Sequence, residues 1–343
     1  MERNIRRLTR ISLVCVFLVV LAGSVVRMTG SGMGCPDWPK CFGYYIPPTN
    51  ENQVTWQADH PYKQGHMIVK GNELLVAKSD FTTGTEFQAD NWEKYDTHNY
   101  AIFNKYHTWT EYVNRLIGAF TGLPMLLLFF FSVLMWKKDP IIPLLATGSL
   151  LLLGFEAWLG KVVVDSNLQE YRITLHMAGA LGIILLLQTL LWRSGGGKEK
   201  VEVKPWFRWL LFTALFVGFI QIYLGTQVRE GIDVLYRSGL PRNEWINNIG
   251  NEFIVHRSFA WLVILLTTLI FWFNRRLQTS LREVLYLTAI ILAEALSGIV
   301  LSYAGMIKWL QPLHLIFAFL SIALLYFALL RTYSHQRKAV IAR

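Results

Sequence analysis

The sequence predicts an all-α integral membrane protein. It has eight transmembrane helices, arranged as two tandem four-helix repeats of parallel orientation with both termini inside. Three observations predict this. Of 343 residues, 53% are hydrophobic and 16% charged, where a soluble domain carries about 25% charged. Runs such as Ile11–Val26, Leu116–Trp136 and Ser258–Phe273 approach or reach the ~20 apolar residues that cross a bilayer. Basic residues gather in alternate connections and at both ends: Arg3 to Arg10, Lys137-Lys138, Arg193 to Arg208 (with Lys198), Arg275 to Arg282, and Arg331 to Arg343 (with Arg337 and Lys338). That alternation is the positive-inside pattern. It accounts for the net charge of +10 without a nucleic-acid partner.

An internal repeat adds the two-repeat arrangement to these three observations. Glu156, Ala157, Gly160 and His176 recur as Glu294, Ala295, Gly298 and His314, with 20 residues from Glu to His in both copies. Gly23-Ser-Val-Val-Arg27 recurs as Gly225-Thr-Gln-Val-Arg229, and Asn114-Arg115 stands where His256-Arg257 stands in the second copy. Four spans per repeat restore direction, so the repeats run parallel.

In order, span 1 is about Leu8–Val26, led by a basic Met1–Arg10 without a small-residue cleavage site. It is expected to be an uncleaved anchor, in a bacterial cell membrane rather than an organelle. A long polar outer segment, residues 30–108, follows; it is too long for a plain connector and is either a folded cap or a functional loop. Spans 2, 3 and 4 are Trp109–Trp136, Ile141–Val164 and Arg172–Trp192, completing an N-terminal repeat of residues 1–192. Residues 193–205, with three consecutive glycines, are an inner linker. The C-terminal repeat, 206–343, holds spans Trp206–Val228, Glu252–Phe273, Leu281–Met306 and Gln311–Leu330, with a shorter outer loop at Arg229–Asn251.

Ionisable residues at membrane depth are costly, which makes them candidates for function. His60, His66, His98 and His335 fall in polar segments and are expected to be solvated. His107, His176, His256 and His314 fall at or inside span entrances. His256 and His314 begin spans entered from the same side, so two imidazoles at equal depth can clamp a haem iron. The alternative is a pair of hydrogen-bonding histidines between helices. In the first repeat His176 matches His314, but Asn114 replaces the histidine. Either His107, one to two turns nearer the outside, is the second ligand, or the iron keeps an open position. Open iron suits oxidation, and bis-histidine iron suits electron transfer. His107, Glu111 and Asn114 share one helix face. Glu111 is a candidate proton donor or base, or else an acid that favours a helix N-terminus. Arg27, Arg115, Arg229 and Arg257 lie near outer span ends, where they either bind haem propionates or snorkel. Glu156 and Glu294 either handle protons or hydrogen-bond a neighbouring helix. Cys35 and Cys41 lie outside, where disulfides persist; a metal pair or reactive thiols are the alternatives. Cys15 is an apolar filler.

The run Arg27-Met-Thr-Gly-Ser-Gly-Met-Gly-Cys35-Pro-Asp-Trp-Pro-Lys-Cys41 resembles the first outer loop of haem A synthases. Glu111-Tyr-Val-Asn-Arg115 is similar to that family's Glu-x-x-His-Arg, and His176, His256 and His314 fall at three of its four ligand positions. The resemblance covers nearly the whole chain outside Tyr44–Lys105. It implies oxidation of the C8 methyl of haem O to the formyl of haem A by successive hydroxylations. It also implies a haem b cofactor between His256 and His314, a substrate haem O near His176 and Glu111, and an outer disulfide above the substrate. The implied partners are a haem O synthase, an electron donor and the terminal oxidase that takes the product, with a homo-oligomer compatible. Asn114 is the departure. The competing functions are a membrane di-haem b electron-transfer cytochrome, which Asn114 opposes, and a haem-delivery or transport protein.

Overall fold

The computed structural model describes residues 1–97, 102–166, 168–196, 200–279 and 281–333. His98, Lys198, His335, Arg337, Lys338 and Arg343 lie outside the described residues. Among the described residues, eight helices are long and apolar enough to cross a membrane. They are α1 (Glu2–Thr29), α2 (Lys105–Val133), α3 (Ile141–Asp165), α4 (Glu170–Leu191), α5 (Pro205–Arg237), α7 (Asn251–Arg276), α8 (Arg282–Tyr303) and α9 (Leu310–Arg331). A short α6 (Trp245–Asn248) precedes α7.

Several boundaries differ from expectation: α1 begins at Glu2 rather than Leu8, α2 begins at Lys105 rather than Trp109, α7 ends at Arg276 rather than Phe273, and α8 ends at Tyr303 rather than Met306. Helix α2 stops at Val133 rather than Trp136 and gives way to turns. Helix α5 continues past Val228 to Arg237, so Arg229 is helical rather than the start of a loop. Charge in Arg229-Glu230 hides an amphipathic stripe there. Val228, Ile232 and Leu235 recur at helical spacing and pack with Trp245, Ile249, Leu301 and Met306. On the other face Arg229 pairs with Asp233 one turn on, at 2.7 Å, the i,i+4 geometry that supports a helix.

The helical class holds for the spans, but among its described residues the segment between α1 and α2 holds no α-helix, only short 3-10 turns at Ser31–Met33, Glu51–Val54 and Ala89–Asn91. It folds into two small antiparallel sheets, β1 (Pro61–Tyr62) with β4 (Phe81–Thr82), and β2 (Met67–Lys70), β3 (Glu73–Ala77) and β5 (Trp92–Lys94) in the order β2-β3-β5. Successive strand residues face opposite sides. Met67 and Leu74 therefore join Phe42 and Val54 in one apolar cluster, while Ile68 and Ala77 join Tyr62 and Trp92 in another. A two-residue turn with Gly71 at φ 62° closes β2 on β3, as short hairpins require. Of the two expectations for this stretch, the folded cap is the one observed.

The chain divides into two compact units. One holds Met1–Leu21, Phe120–Phe155 and the chain from Met177 on; the other holds Ala22–Ala119 and Glu156–His176. In the first, one continuous core includes Ile183, Ile184, Leu187, Phe207, Ile270 and Phe319. Polar ties cross it: Gln188 Nε2 donates to the Ala323 carbonyl at 3.0 Å, and Arg331 grips both oxygens of Glu283 at 2.7 and 2.8 Å. A single nitrogen, Nη1, donates to both oxygens, a charge-assisted bond stronger than a neutral one.

In the second unit the loop after α1 rests on the start of α2. Thr108 Oγ1 donates to the Gly34 carbonyl at 2.7 Å. A Cβ on Gly34 would lie 2.5 Å from the carbonyl carbon and oxygen of His107. Main chain cannot yield as a side-chain tip can. Gly34→Ala is therefore expected to destabilise the protein by about 1–3 kcal/mol. Gly118→Ala, where nothing lies within 4 Å, is the matched control. Equal thermal-unfolding midpoints for the two variants in detergent would refute this packing argument.

Candidate functional site

Four residues share one seat. Each of Asn114, His176, His256 and His314 lies against a glycine of an apolar helix preceding its own. A Cβ on Gly23 would be 3.8 Å from Asn114 Oδ1, and one on Gly160 would be 3.8 Å from His176 Cε1. A Cβ on Gly225 would be 3.2 Å from His256 Cε1, and one on Gly298 would be 3.3 Å from His314 Cε1. Small residues let helices approach closely; here they also leave room for the side chain of the neighbouring helix. Asn114 thus occupies the histidine's seat with an amide. Its Oδ1 is buried and has no hydrogen-bond partner among the described residues.

His256 and His314 meet, with ring centres 6.4 Å apart and planes at 80°. His314 Nδ1 lies 3.1 Å from the Glu294 carbonyl and 2.8 Å from Ser297 Oγ, and that hydroxyl itself donates to the same carbonyl at 2.7 Å. A carbonyl only accepts, so Nδ1 carries the hydrogen and Nε2 presents a lone pair. The Gln221 side-chain amide lies 3.2 Å from His256 Nδ1 and donates to the His256 carbonyl at 3.2 Å. Glu294 directs its backbone, not its carboxylate, at His314; its Oε2 has no hydrogen-bond partner among the described residues.

The first copy is built differently. His176 Nδ1 lies 2.6 Å from Glu156 Oε2. The two atoms are in ion-pair contact, and neither Nδ1 nor either oxygen of that carboxylate has a partner in hydrogen-bond geometry among the described residues. His107 sits seven residues before Asn114, about 10 Å of helix rise away, with its main chain beneath Gly34. It does not share Asn114's seat.

Glu111 is buried, 4% exposed, on the first two turns of α2. One oxygen pairs with Arg115 one turn on; the other accepts the Cys35 backbone N–H at 2.9 Å. Arg115 in turn donates to the carbonyls of Asp37 and Lys40 at 2.9 and 3.0 Å. Cys35 and Cys41 form a disulfide with 4.6 Å between Cα atoms, so the metal-pair and free-thiol alternatives fall away. Asp37, inside this loop, accepts the Gly43 N–H at 3.0 Å; burial pushes its carboxyl above the usual carboxylate range. The other arginines have protein neighbours too. Arg229 contacts Asp233 and Gln311, Arg257 stands 5.5 Å over the Phe253 ring, and Arg27 ends α1 half-buried.

His60 and His66 belong to the folded segment, where His66 stacks on Tyr44 at 4.3 Å. Burial and neighbouring lysines hold His66 below the ordinary histidine value. Gln221 and Ser297 were not singled out in the sequence. Their signal was spacing: Gln221 lies one turn before Gly225 on the same face, and Ser297 lies one residue before Gly298.

Among the described residues no three His, Cys, Asp or Glu side chains cluster as ligands for a bare ion. The molecule is therefore of a definite class: a multi-pass membrane protein of apolar helices, with imidazoles and one amide seated on glycines. The chain belongs to the COX15-CtaA family, cytochrome oxidase assembly proteins, whose model matches residues 6–87 and 79–326. It is similar to proteins named heme A synthase from Brucella anthropi (26% identical over 368 residues, covering 94% of this chain and 91% of the relative) and Brucella ovis (27% over 354 residues, 90% and 86%). A third, also named heme A synthase, is from Shewanella oneidensis, 25% identical over 250 residues. That match covers 71% of this chain and 62% of the relative.

Proposed function

We propose that this protein is a haem A synthase, an oxidoreductase that converts the C8 methyl of haem O to a formyl group through successive hydroxylations and loss of water. Family membership and the relatives' shared name support the reaction. The spacing of His256 and His314 supports the cofactor. Two ring nitrogens each about 2 Å from one metal put the ring centres roughly 6 Å apart, against the observed 6.4 Å. Two protein ligands are too few for a bare ion but suit an iron whose macrocycle supplies the equatorial nitrogens. These residues fit haem b, held by one ring nitrogen of each histidine, which when bound supplies reversible one-electron transfer.

The substrate haem O lies in the first copy, with His176 as its ligand. The Asn114 amide leaves the opposite face without an imidazole; His107 is too far along α2 to replace it. Glu111, buried and held by Arg115 and the Cys35 N–H, is the group that takes or returns a proton at its carboxylate oxygens as the methyl is oxidised. Arg27, Arg115, Arg229 and Arg257 are the propionate partners, which requires Arg115 and Arg229 to exchange their present contacts. We place the protein in a bacterial cell membrane, both termini inside, as two parallel four-helix repeats, residues 1–192 and 206–343, joined by 193–205. The folded segment and both haem sites then lie toward the outer face. A haem O synthase supplies the substrate, a membrane electron donor completes the cycle, and a haem-copper oxidase consumes the product.

Co-expression with a haem O source tests the reaction. Extracted pigment is expected to contain haem A. Haem O left unchanged by a well-folded, haem-loaded protein would instead favour the di-haem cytochrome.

A further inference from the structure

The two repeats give their matching histidines different partners, and the residue three after each glutamate differs as well. Ser297, three after Glu294, places a hydroxyl 2.8 Å from His314 Nδ1. The matching residue three after Glu156 is Leu159, which is buried and offers no oxygen. His176 Nδ1 is left with the Glu156 carboxylate at 2.6 Å, whereas His314 Nδ1 meets only neutral oxygens. Burial supports the pairing. The His176 side chain is 41% exposed and that of Glu156 only 6%, yet Nδ1 itself is shut away from solvent. Cε1 lies toward Gly160. The open part of the ring is therefore the Nε2–Cδ2 edge, the one that can face a ligand.

We propose that Glu156 is a positioning residue for the substrate haem: its carboxylate, 2.6 Å from Nδ1 of His176, turns into a hydrogen bond with Nδ1–H when the haem binds, which fixes which nitrogen meets the iron and makes His176 a more strongly electron-donating ligand than His314. A carboxylate behind a ligating imidazole fixes its tautomer and raises its basicity; such outer partners typically matter 10–100-fold. A neutral acceptor orients the ring with less charge donation. The proposal rests on the reading that His176 ligates the substrate haem. It divides the repeats by function: an electron-rich ligand where the methyl is oxidised, a neutral one where electrons pass.

The test uses the full-length protein carrying haem b and bound haem O. Resonance Raman of the ferrous protein reads the iron–histidine stretch, and redox titration reads the two haem potentials separately. Glu156→Gln is expected to lower the first-site stretching frequency and raise that site's potential, leaving the haem b signals in place. Leu159→Ser, which offers His176 a neutral hydroxyl, is expected to shift both in the same directions and gives a second route should the first variant not assemble. Glu156→Asp is expected to restore part of the native signature. An unmoved stretch and potential in Glu156→Gln, with His176→Ala altering both, overturns the proposal alone. A His176→Ala protein that keeps the native first-site spectrum overturns it together with the ligand assignment.

Discussion

Replacing His256 with alanine is expected to strip haem b from the purified protein, by more than the 10–100-fold in affinity that second-shell changes at metal sites cost. The argument is geometric. His256 and His314 are the pair whose ring spacing accommodates one iron, and both rest on glycine. Helix α7 keeps its apolar residues, so the span should persist. The measurement is the pyridine haemochrome content of the purified variant, with His176→Ala as comparison. His176→Ala should retain haem b, because His176 belongs to a different compact unit. Native haem b content in His256→Ala would remove the cofactor assignment.

Glu111→Ala is expected to lower haem A formation by about 10²–10⁴-fold, the range for a lost acid–base group. It should also loosen the Cys35 loop. The buried Cys35 N–H would lose its acceptor, at about 1–3 kcal/mol, and Arg115 would lose its carboxylate partner. Two effects in one variant need separating, and Glu111→Gln does so. It keeps an oxygen for Cys35 and a side chain of the same shape while removing the proton-accepting charge. The expected outcome is near-native thermal stability with haem A formation still depressed. Native product yield from Glu111→Gln would leave Glu111 only the loop-anchoring role that the hydrogen bonds already display.

The cap between α1 and α2 shows where local sequence loses its reach. Its strands are two to five residues long, too short for a period to stand out. They are stabilised by partners distant in the chain: β5 pairs with β3 across some 15 residues, and Tyr95 reaches the Pro36 carbonyl at 2.8 Å. The end of α5 shows the same limit on a smaller scale, since its charges announce a loop while its apolar stripe waits for Trp245 and Ile249.

The eight apolar helices were legible in the chain alone, because a bilayer imposes one length and one polarity on every span. So were the matching glycines, the matching pair His176 and His314, and Asn114 standing where His256 stands, because duplication writes the same positions twice. The partner of each imidazole was not legible. Glu156 and Glu294 stand at identical distances from their histidines, yet only Glu156 offers its carboxylate. That choice depends on a third side chain, Leu159 or Ser297, and on how adjacent helices turn their faces, which only packing sets. Glu111 is similar: its sequence neighbours mark it as a helix acid, while the Cys35 loop folded onto it makes it a buried carboxylate with two fixed hydrogen bonds.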